Sequence, residues 1–198
     1  MLRDFARDTA LYGGATLLVR GLSLLLLPFY TRVLDPTDYG LVDLATVFTS
    51  LVLLTVALEV SQGVARLFPD AEDRSERLAY ASTALWFSVG AYVVFMAIAL
   101  PLAPQLSRIV FESREQADLA SVMVLSAAAN GVFLLLLHQL RWNLQPVAFT
   151  IGSLTFALTS IGATVALVLA ADLRVAGVLL GQLSGAVAGG GGVLRVHA

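Results

Sequence analysis

Apolar stretches of about twenty residues constrain this chain more than any other feature of its sequence. The first begins near Leu11 and reads LYGGATLLVRGLSLLLLPFY, with a single charge at Arg20. An α-helix needs about 20 mostly apolar residues to cross a hydrocarbon core of about 30 Å. A short polar turn at Asp35–Asp38 then leads into a second apolar stretch of similar length. The passage therefore predicts a helical hairpin that crosses a membrane twice.

The composition extends this prediction to the whole chain. Of 198 residues, 58% are hydrophobic and 13% are charged, and the mean hydropathy is +0.85. Soluble domains average about 45–50% apolar and about 25% charged residues, so this chain has too few polar side chains to cover a soluble globule. We predict an all-α integral membrane protein. With a net charge of −2 and no basic patch, no nucleic-acid partner is expected.

Several classes of chemistry lack a signature here. The chain has no cysteine, so thiolate metal sites are excluded. It has no G-x-S-x-G elbow, no H-E-x-x-H motif and no acidic metal cluster within an apolar stretch. The run Gly189–Gly192 lacks the lysine of a phosphate loop and follows no strand. We expect a protein that is not an enzyme, with no catalytic residues, no metal and no cofactor.

Six segments are long enough to span a membrane as helices, and their apolar runs are continuous, without the alternation of β-strands. Their predicted boundaries are about 10–31, 40–65, 78–102, 116–138, 147–170 and 174–191. They form a single membrane domain over residues 1–198. Because the connections are short, we expect sequence neighbours to pack antiparallel. In the loop before the fourth segment, Ile109, Val110 and Phe111 are expected to reach toward lipid.

The arginines of the loops predict the orientation, since cytoplasmic loops carry an excess of basic residues. With a cytoplasmic N-terminus, seven arginines lie inside and four outside, and Arg20 is not counted. The seven are Arg3, Arg7, Arg66, Arg74, Arg77, Arg141 and Arg195, and the four are Arg32, Arg108, Arg114 and Arg174. We predict a multi-pass protein of the cytoplasmic membrane with its N-terminus inside.

Arg20 is the first candidate for function. A charge at the centre of a membrane helix costs about 2.5–3.5 kcal/mol on insertion scales, so Arg20 needs a partner or a water-filled cavity. Antiparallel packing of the first two helices would place Glu59 beside it. The two residues then either neutralise each other, or Arg20 attracts an anionic substrate while Glu59 takes up a proton. Asn130, in the fourth segment, is a further translocation candidate or a hydrogen-bonding link between helices.

Two segments carry patterns that concern packing. The fifth has many hydroxyl groups, and Ser153, Ser160 and Thr164 share one face, which either lines an aqueous cavity or hydrogen-bonds to helices. In the sixth, glycines at four-residue spacing leave a stripe without side chains, where another helix can approach closely. These glycines are Gly177, Gly181, Gly185 and Gly189. His138, near the end of the fourth segment, is expected at the membrane interface.

The segment Leu17–Ala45, LLVRGLSLLLLPFYTRVLDPTDYGLVDLA, resembles the opening of the polysaccharide biosynthesis (oligosaccharide flippase) family. That family belongs to the multidrug/oligosaccharidyl-lipid/polysaccharide exporter superfamily. The matching features are an arginine in the first helix, the pattern L-P-x-Y-T-R, and a short L-x-P-x-x-Y-G turn. The resemblance implies a transporter that moves lipid-linked oligosaccharides across the cytoplasmic membrane. It also implies a lipid pyrophosphate as substrate, with Arg20 at the position of the family's cavity arginine.

Members of this family usually have two six-helix lobes around a central cavity, and this chain resembles the N-terminal lobe. The resemblance implies that the chain is truncated before a second lobe, or that two copies pair, since one lobe alone would leave Arg20 facing lipid. Parallel repeats of this kind transport by rocking one lobe against the other. The alternatives are a cation-coupled drug exporter of the same superfamily, a membrane-embedded enzyme of lipid or glycan metabolism, and an inactive fragment. A cavity that is acidic and aromatic, without net positive charge, would favour the drug exporter, and a cluster of acids or histidines that meet in the fold would favour the enzyme.

Overall fold

The structure, a computed structural model, describes residues 2–56, 60–67 and 73–197. These residues form eight α-helices and, within the described ranges, no strand. The helices are α1 (Leu2–Val33), α2 (Pro36–Thr55), α3 (Val60–Leu67), α4 (Arg74–Ala99), α5 (Ala103–Val110), α6 (Ala117–Trp142), α7 (Pro146–Ala170) and α8 (Arg174–His197).

Six helices, α1, α2, α4, α6, α7 and α8, are long and apolar enough to cross a membrane. The prediction of an all-α membrane protein with six spans is therefore confirmed. Large apolar side chains are exposed around the bundle, for example Trp86 at 73% and Ile109 at 76%. Exposed apolar area of this extent is expected where the surrounding solvent is lipid and not water.

Two connections differ from the sequence prediction. The predicted segment 40–65 is represented by α2, which ends at Thr55, and by the separate short helix α3, which begins at Val60. Before α6, the predicted turn contains the short helix α5. The expectation that Phe111 reaches lipid was wrong, because its ring is 6% exposed and packs against Ala45, Ala120 and Met123.

The polar turn after α1 starts α2 as its sequence predicts. Asp35 is the N-cap residue, and its Oδ1 accepts a hydrogen bond of 2.9 Å from the backbone N–H of Asp38. Pro36 occupies the first helical position, where its missing N–H is not needed. Sequence analysis did not predict that Arg174, at the start of α8, donates hydrogen bonds of 3.0 Å to both Asp35 and Asp38. This contact places the α1–α2 turn and the start of α8 at the same end of the bundle.

The cap predicts a pH dependence of stability. The hydrogen bond from the backbone of Asp38 is the main reason why the pKa of Asp35 is lowered from its ordinary 3.8, and the charge of Arg174 adds to it. A carboxylate with a lowered pKa stabilises the fold above its unfolded pKa, and this contribution is lost as the pH falls through the folded value. We expect Asp35→Ala to lower the unfolding temperature at pH 7, and the difference from wild type to become smaller as the pH falls through the folded pKa of Asp35.

Asp35→Asn separates the two contributions, because asparagine keeps the N-cap acceptor but loses the charge opposite Arg174. Thermal unfolding in detergent at several pH values measures both variants. If Asp35→Ala unfolded at the wild-type temperature at pH 7, the cap would have no role in stability.

Helix α6 lies at the centre of the bundle. It packs against α2, α4, α5 and α8, while the most extensive contact in the fold joins α7 to α8. Helix α1 packs mainly against α7 and touches α2 only slightly. The expectation that each helix packs against its sequence neighbour was therefore wrong for α1 and α2. A short connection fixes which ends of two helices are close, but it does not fix which faces meet.

The spaced glycines of α8 lie where α8 crosses α7 and α6. A Cβ added at Gly177 would come within 2.9 Å of Val168, and one at Gly185 within 2.8 Å of the Phe156 carbonyl oxygen. At Gly189 it would come within 2.7 Å of the Phe133 ring. At Gly181 it would overlap the hydroxyl of Thr164. Because these positions lack Cβ atoms, the two backbones can approach closely.

A buried hydrogen bond also links α6 to α8. The hydroxyl of Ser126, which is 1% exposed, donates to the Leu179 carbonyl oxygen at 2.8 Å. We expect Ser126→Ala to lower the free energy of unfolding by about 0.5–1.5 kcal/mol, the range for one interhelical hydrogen bond. Ser121→Ala is the matched control, because the Ser121 hydroxyl bonds only to Ala117 of its own helix. Equal effects of the two variants in reversible unfolding would contradict a stabilising role of the interhelical bond.

Candidate binding pocket

A cavity of about 370 Å³ lies between α1, α6 and α7. Its volume is within the range of about 300–1,000 Å³ that is common for ligand pockets. We call it the anion pocket, for reasons given below. It is lined by Thr16, Val19, Arg20, Asn130, Phe133, Leu134, Leu137, His138, Arg141, Phe149, Ser153 and Phe156.

Arg20 lies on the α1 wall of this pocket and is exposed. It follows Tyr12, the first residue of the candidate span in α1, by eight positions, which is about 12 Å along the helix axis at 1.5 Å per residue. Within the described residues, no carboxylate pairs with it. The predicted partner Glu59 lies outside the described residues. The Arg20–Glu59 pair was predicted from antiparallel packing of the first two helices. In the structure, α1 packs mainly on α7 and hardly on α2.

Helix α6 supplies the opposite wall. Asn130, Leu134, Leu137, His138 and Arg141 follow one another at the spacing of a single helical face. The Asn130 amide donates a hydrogen bond of 3.0 Å to the Ser126 carbonyl oxygen of its own helix. Its side chain thus lies on the pocket wall near the middle of the span, and this bond does not link two helices.

Helix α7 completes the pocket with one polar and two aromatic side chains. Ser153 faces the cavity together with Phe149 and Phe156. The guanidinium of Arg141 lies 5.0 Å from the ring centre of Phe149, a cation–π contact that holds the charge at the pocket wall. The Phe156 ring stacks on Phe133 with ring centres 4.8 Å apart. The pocket therefore has cationic groups on one part of its wall and an aromatic pair on another.

The hydroxyl groups of α7 serve two purposes. Ser153 lines the anion pocket, whereas Ser160 and Thr164 are buried where Gly185 and Gly181 of α8 pack against α7. The three hydroxyl groups on this face of α7 therefore lie in two different environments.

The electrostatic character of the pocket follows from its lining. Arg20 and Arg141 contribute two positive charges, His138 is a third basic group, and none of the lining residues that the structure describes is acidic. Charges interact more strongly away from bulk water, because the effective dielectric constant falls. The arrangement can therefore attract an anionic group, and the arginines can donate paired hydrogen bonds to phosphate oxygens.

The sequence pointed to Arg20 and Asn130 as translocation candidates and offered Ser153 as a residue that could line a cavity, but it gave His138 and Arg141 no role in binding. The structure brings Arg20 and Asn130 to one cavity and adds His138, Arg141 and Ser153. The signal that could have found two of them is helical periodicity, since His138 and Arg141 lie eight and eleven positions after Asn130. In the described part of the chain, no group of three histidines or acids could hold a metal.

A family model described as "Polysaccharide biosynthesis protein" matches residues 5–197. The chain belongs to this family. The comparisons with curated proteins and with solved structures gave no match. The resemblance inferred from Leu17–Ala45 is thus confirmed, and the match extends over nearly the whole chain. This family membership and the six apolar helices make the chain a multi-pass membrane protein that resembles a transporter.

Proposed function

We propose that this protein takes part in moving lipid-linked oligosaccharide across the cytoplasmic membrane for polysaccharide biosynthesis. The observation that carries the proposal is the anion pocket, in which Arg20 and Arg141 lie without an acidic neighbour among the described residues of the wall. A lipid pyrophosphate offers several oxygen acceptors for two guanidinium groups. Family membership is consistent with this class of substrate.

The pocket is suited to the headgroup and not to a complete oligosaccharide. It extends from Arg141, at the last turn of α6, to Asn130 near the middle of that helix. In the proposed orientation, with the N-terminus in the cytoplasm, the end of α6 lies on the cytoplasmic side, where the pyrophosphate would enter. Phe133, Phe149 and Phe156 offer an apolar surface for the first isoprene units or for a sugar face.

The exposed side chain of Arg20 supports the proposal that a second lobe packs against this one. A guanidinium at this depth is tolerated when it faces a wet, protein-lined space. We propose that a second six-helix lobe, or a second copy of this chain, covers the open side of the anion pocket. Rocking of the two lobes would then open the pocket to one side of the membrane at a time.

The alternative transporter, a cation-coupled drug exporter, would be favoured by an acidic cavity. The lining of the anion pocket is basic instead, and it would repel an organic cation. The electrostatics therefore favour an anionic substrate within the same superfamily.

Depletion of the protein in cells that make a surface polysaccharide tests the proposal. We expect the polysaccharide to decrease at the cell surface, while its lipid-linked precursor accumulates on the cytoplasmic side. Expression of the wild-type protein should restore both. Normal surface polysaccharide in fully depleted cells, with no accumulated precursor, would overturn the proposal.

A further inference from the structure

A second, smaller cavity of about 130 Å³ lies between α2, α3, α4 and α6. Its polar lining consists of Ser61, Ser88, Tyr92 and His138, and we call it the hydroxyl pocket. The rest of its wall is formed by Leu53, Leu54, Gly131, Leu134 and Leu135. None of the described residues on this wall is acidic.

Ser88 indicates that this cavity holds water. The residue is 1% exposed, and its hydroxyl has no hydrogen-bond partner in the described structure. A buried hydroxyl without a partner is unfavourable, and such groups are commonly satisfied by internal water. A water molecule needs about 10–15 Å³ of accessible volume, so the cavity has room for several. Ser61 offers these waters a second hydroxyl group.

His138 connects the two cavities. Of the residues that the structure describes, only Leu134 and His138 line both cavities, and of these two His138 has the polar side chain. Its ring centre lies 6.4 Å from that of Trp142, at the last residue of α6. Imidazole has two nitrogen atoms, and its charge ordinarily changes between about pH 5 and 8. The His138 side chain can therefore contact an anion in the anion pocket and also water in the hydroxyl pocket.

We propose that His138 is the protonation site that sets the anion affinity of the pocket, with water in the hydroxyl pocket as its proton route. This inference rests on the proposed function. The other charged or titratable residues on the two walls are Arg20 from α1, Tyr92 from α4 and Arg141 from α6. The described lining residues of α2, α3 and α7 include none.

The consequence for transport follows from linkage. Protonation raises the positive charge on the anion pocket from two to three, so the protonated protein binds an anion more tightly. By reciprocity, a bound anion favours the protonated imidazole to the same extent. When His138 loses its proton through the hydroxyl pocket, the anion pocket would bind the headgroup more weakly. The substrate would then be released after the lobes have moved.

Binding of farnesyl pyrophosphate to the purified protein in phosphatidylcholine nanodiscs tests the proposal at pH 6 and pH 8. We expect the ratio of affinities at the two values to be about fivefold or more greater for wild type than for His138→Gln. The ionisation of the probe itself is the same for both proteins and cancels in this comparison.

Arg20→Gln should weaken binding at both pH values while retaining the pH dependence. An equal ratio in wild type and His138→Gln would overturn the role of His138. Binding that does not depend on Arg20 would overturn the proposed function instead.

Nuclear magnetic resonance of the imidazole gives a second measurement. The chain has two histidines, so His197→Gln leaves His138 as the single observable ring. We expect its titration midpoint to move to higher pH when farnesyl pyrophosphate is added, and a midpoint that does not move would contradict the linkage. Ser88→Ala removes the buried hydroxyl without filling the cavity and should slow proton exchange, which broadens the resonances near the midpoint. Unchanged broadening in a folded Ser88→Ala protein would overturn the hydroxyl pocket as the proton route.

Discussion

Arg20→Gln is expected to lower export of surface polysaccharide about 10- to 100-fold in cells that depend on this protein. The estimate corresponds to the loss of charge-assisted hydrogen bonds worth about 1.5–3 kcal/mol. Glutamine is polar but shorter than arginine, so the variant removes the charge together with the end of the side chain. Because Arg20 is exposed on the pocket wall, the fold should not depend on its side chain. Export is measured as polysaccharide at the cell surface, normalised to the amount of protein in the membrane.

Two variants serve as controls for this result. Arg20→Lys keeps the positive charge but loses the paired geometry of the guanidinium, so it should retain part of the activity. Arg174→Gln removes an arginine at the opposite end of the bundle, where it bonds to Asp35 and Asp38, and should leave export close to wild type. If Arg20→Gln exported normally at a normal protein level, Arg20 would have no part in transport.

The second large effect is expected at Gly181. An added Cβ would overlap the hydroxyl of Thr164 and come within 2.9 Å of the Thr164 backbone nitrogen and 3.0 Å of the Ser160 carbonyl oxygen. Two of these three neighbours are backbone atoms, which cannot turn away as a flexible side chain can. We expect Gly181→Ala to lower the free energy of unfolding by about 1–3 kcal/mol through overpacking. Thermal unfolding in detergent, followed by helical circular dichroism, measures the change.

Gly191→Ala is the matched control because it makes the same substitution in the same helix. A Cβ at Gly191 would meet nothing within 4 Å. Alanine is favoured over glycine inside a helix by up to about 1 kcal/mol, so this variant should be neutral or slightly stabilising. The two variants are thus expected to differ in sign. A Gly181→Ala protein as stable as Gly191→Ala would mean that α7 and α8 do not pack as closely as the structure has them.

Hydropathy and local chemistry were sufficient to predict the membrane class, the six spans and the start of α2. Each of these depends on residues near one another in sequence, such as Asp35 and Asp38 at the cap. The partner of α1 could not be predicted in this way. Lipid chains are about as apolar as leucine, so there is little hydrophobic preference for one helix neighbour over another inside the membrane. Whether α1 packs against α7 or α2 therefore depends on the detailed shapes of the helix faces.

The same limit explains what was missed in the site. Arg20 could be identified because its charge is unusual within an apolar stretch. Its neighbours Ser153 and His138 come from α7 and α6, and their proximity follows from the packing of three helices. His138 was expected at the interface because it is close to the end of α6. Its place between two cavities depends on α4 packing against the other side of that helix.

Photo-crosslinking of a bound lipid pyrophosphate tests most directly whether the anion pocket binds the headgroup. A farnesyl pyrophosphate analogue with a photoreactive group next to the headgroup is bound to the purified protein, and the labelled peptides are identified by mass spectrometry. If the anion pocket binds the headgroup, we expect labels in residues 12–20 of α1, 130–141 of α6 and 149–156 of α7. We also expect that inorganic pyrophosphate in excess reduces these labels, and that Arg20→Gln does so as well. Labels that lie mainly on the exposed faces of α2 and α4 and do not change in Arg20→Gln would contradict binding of the headgroup in the anion pocket.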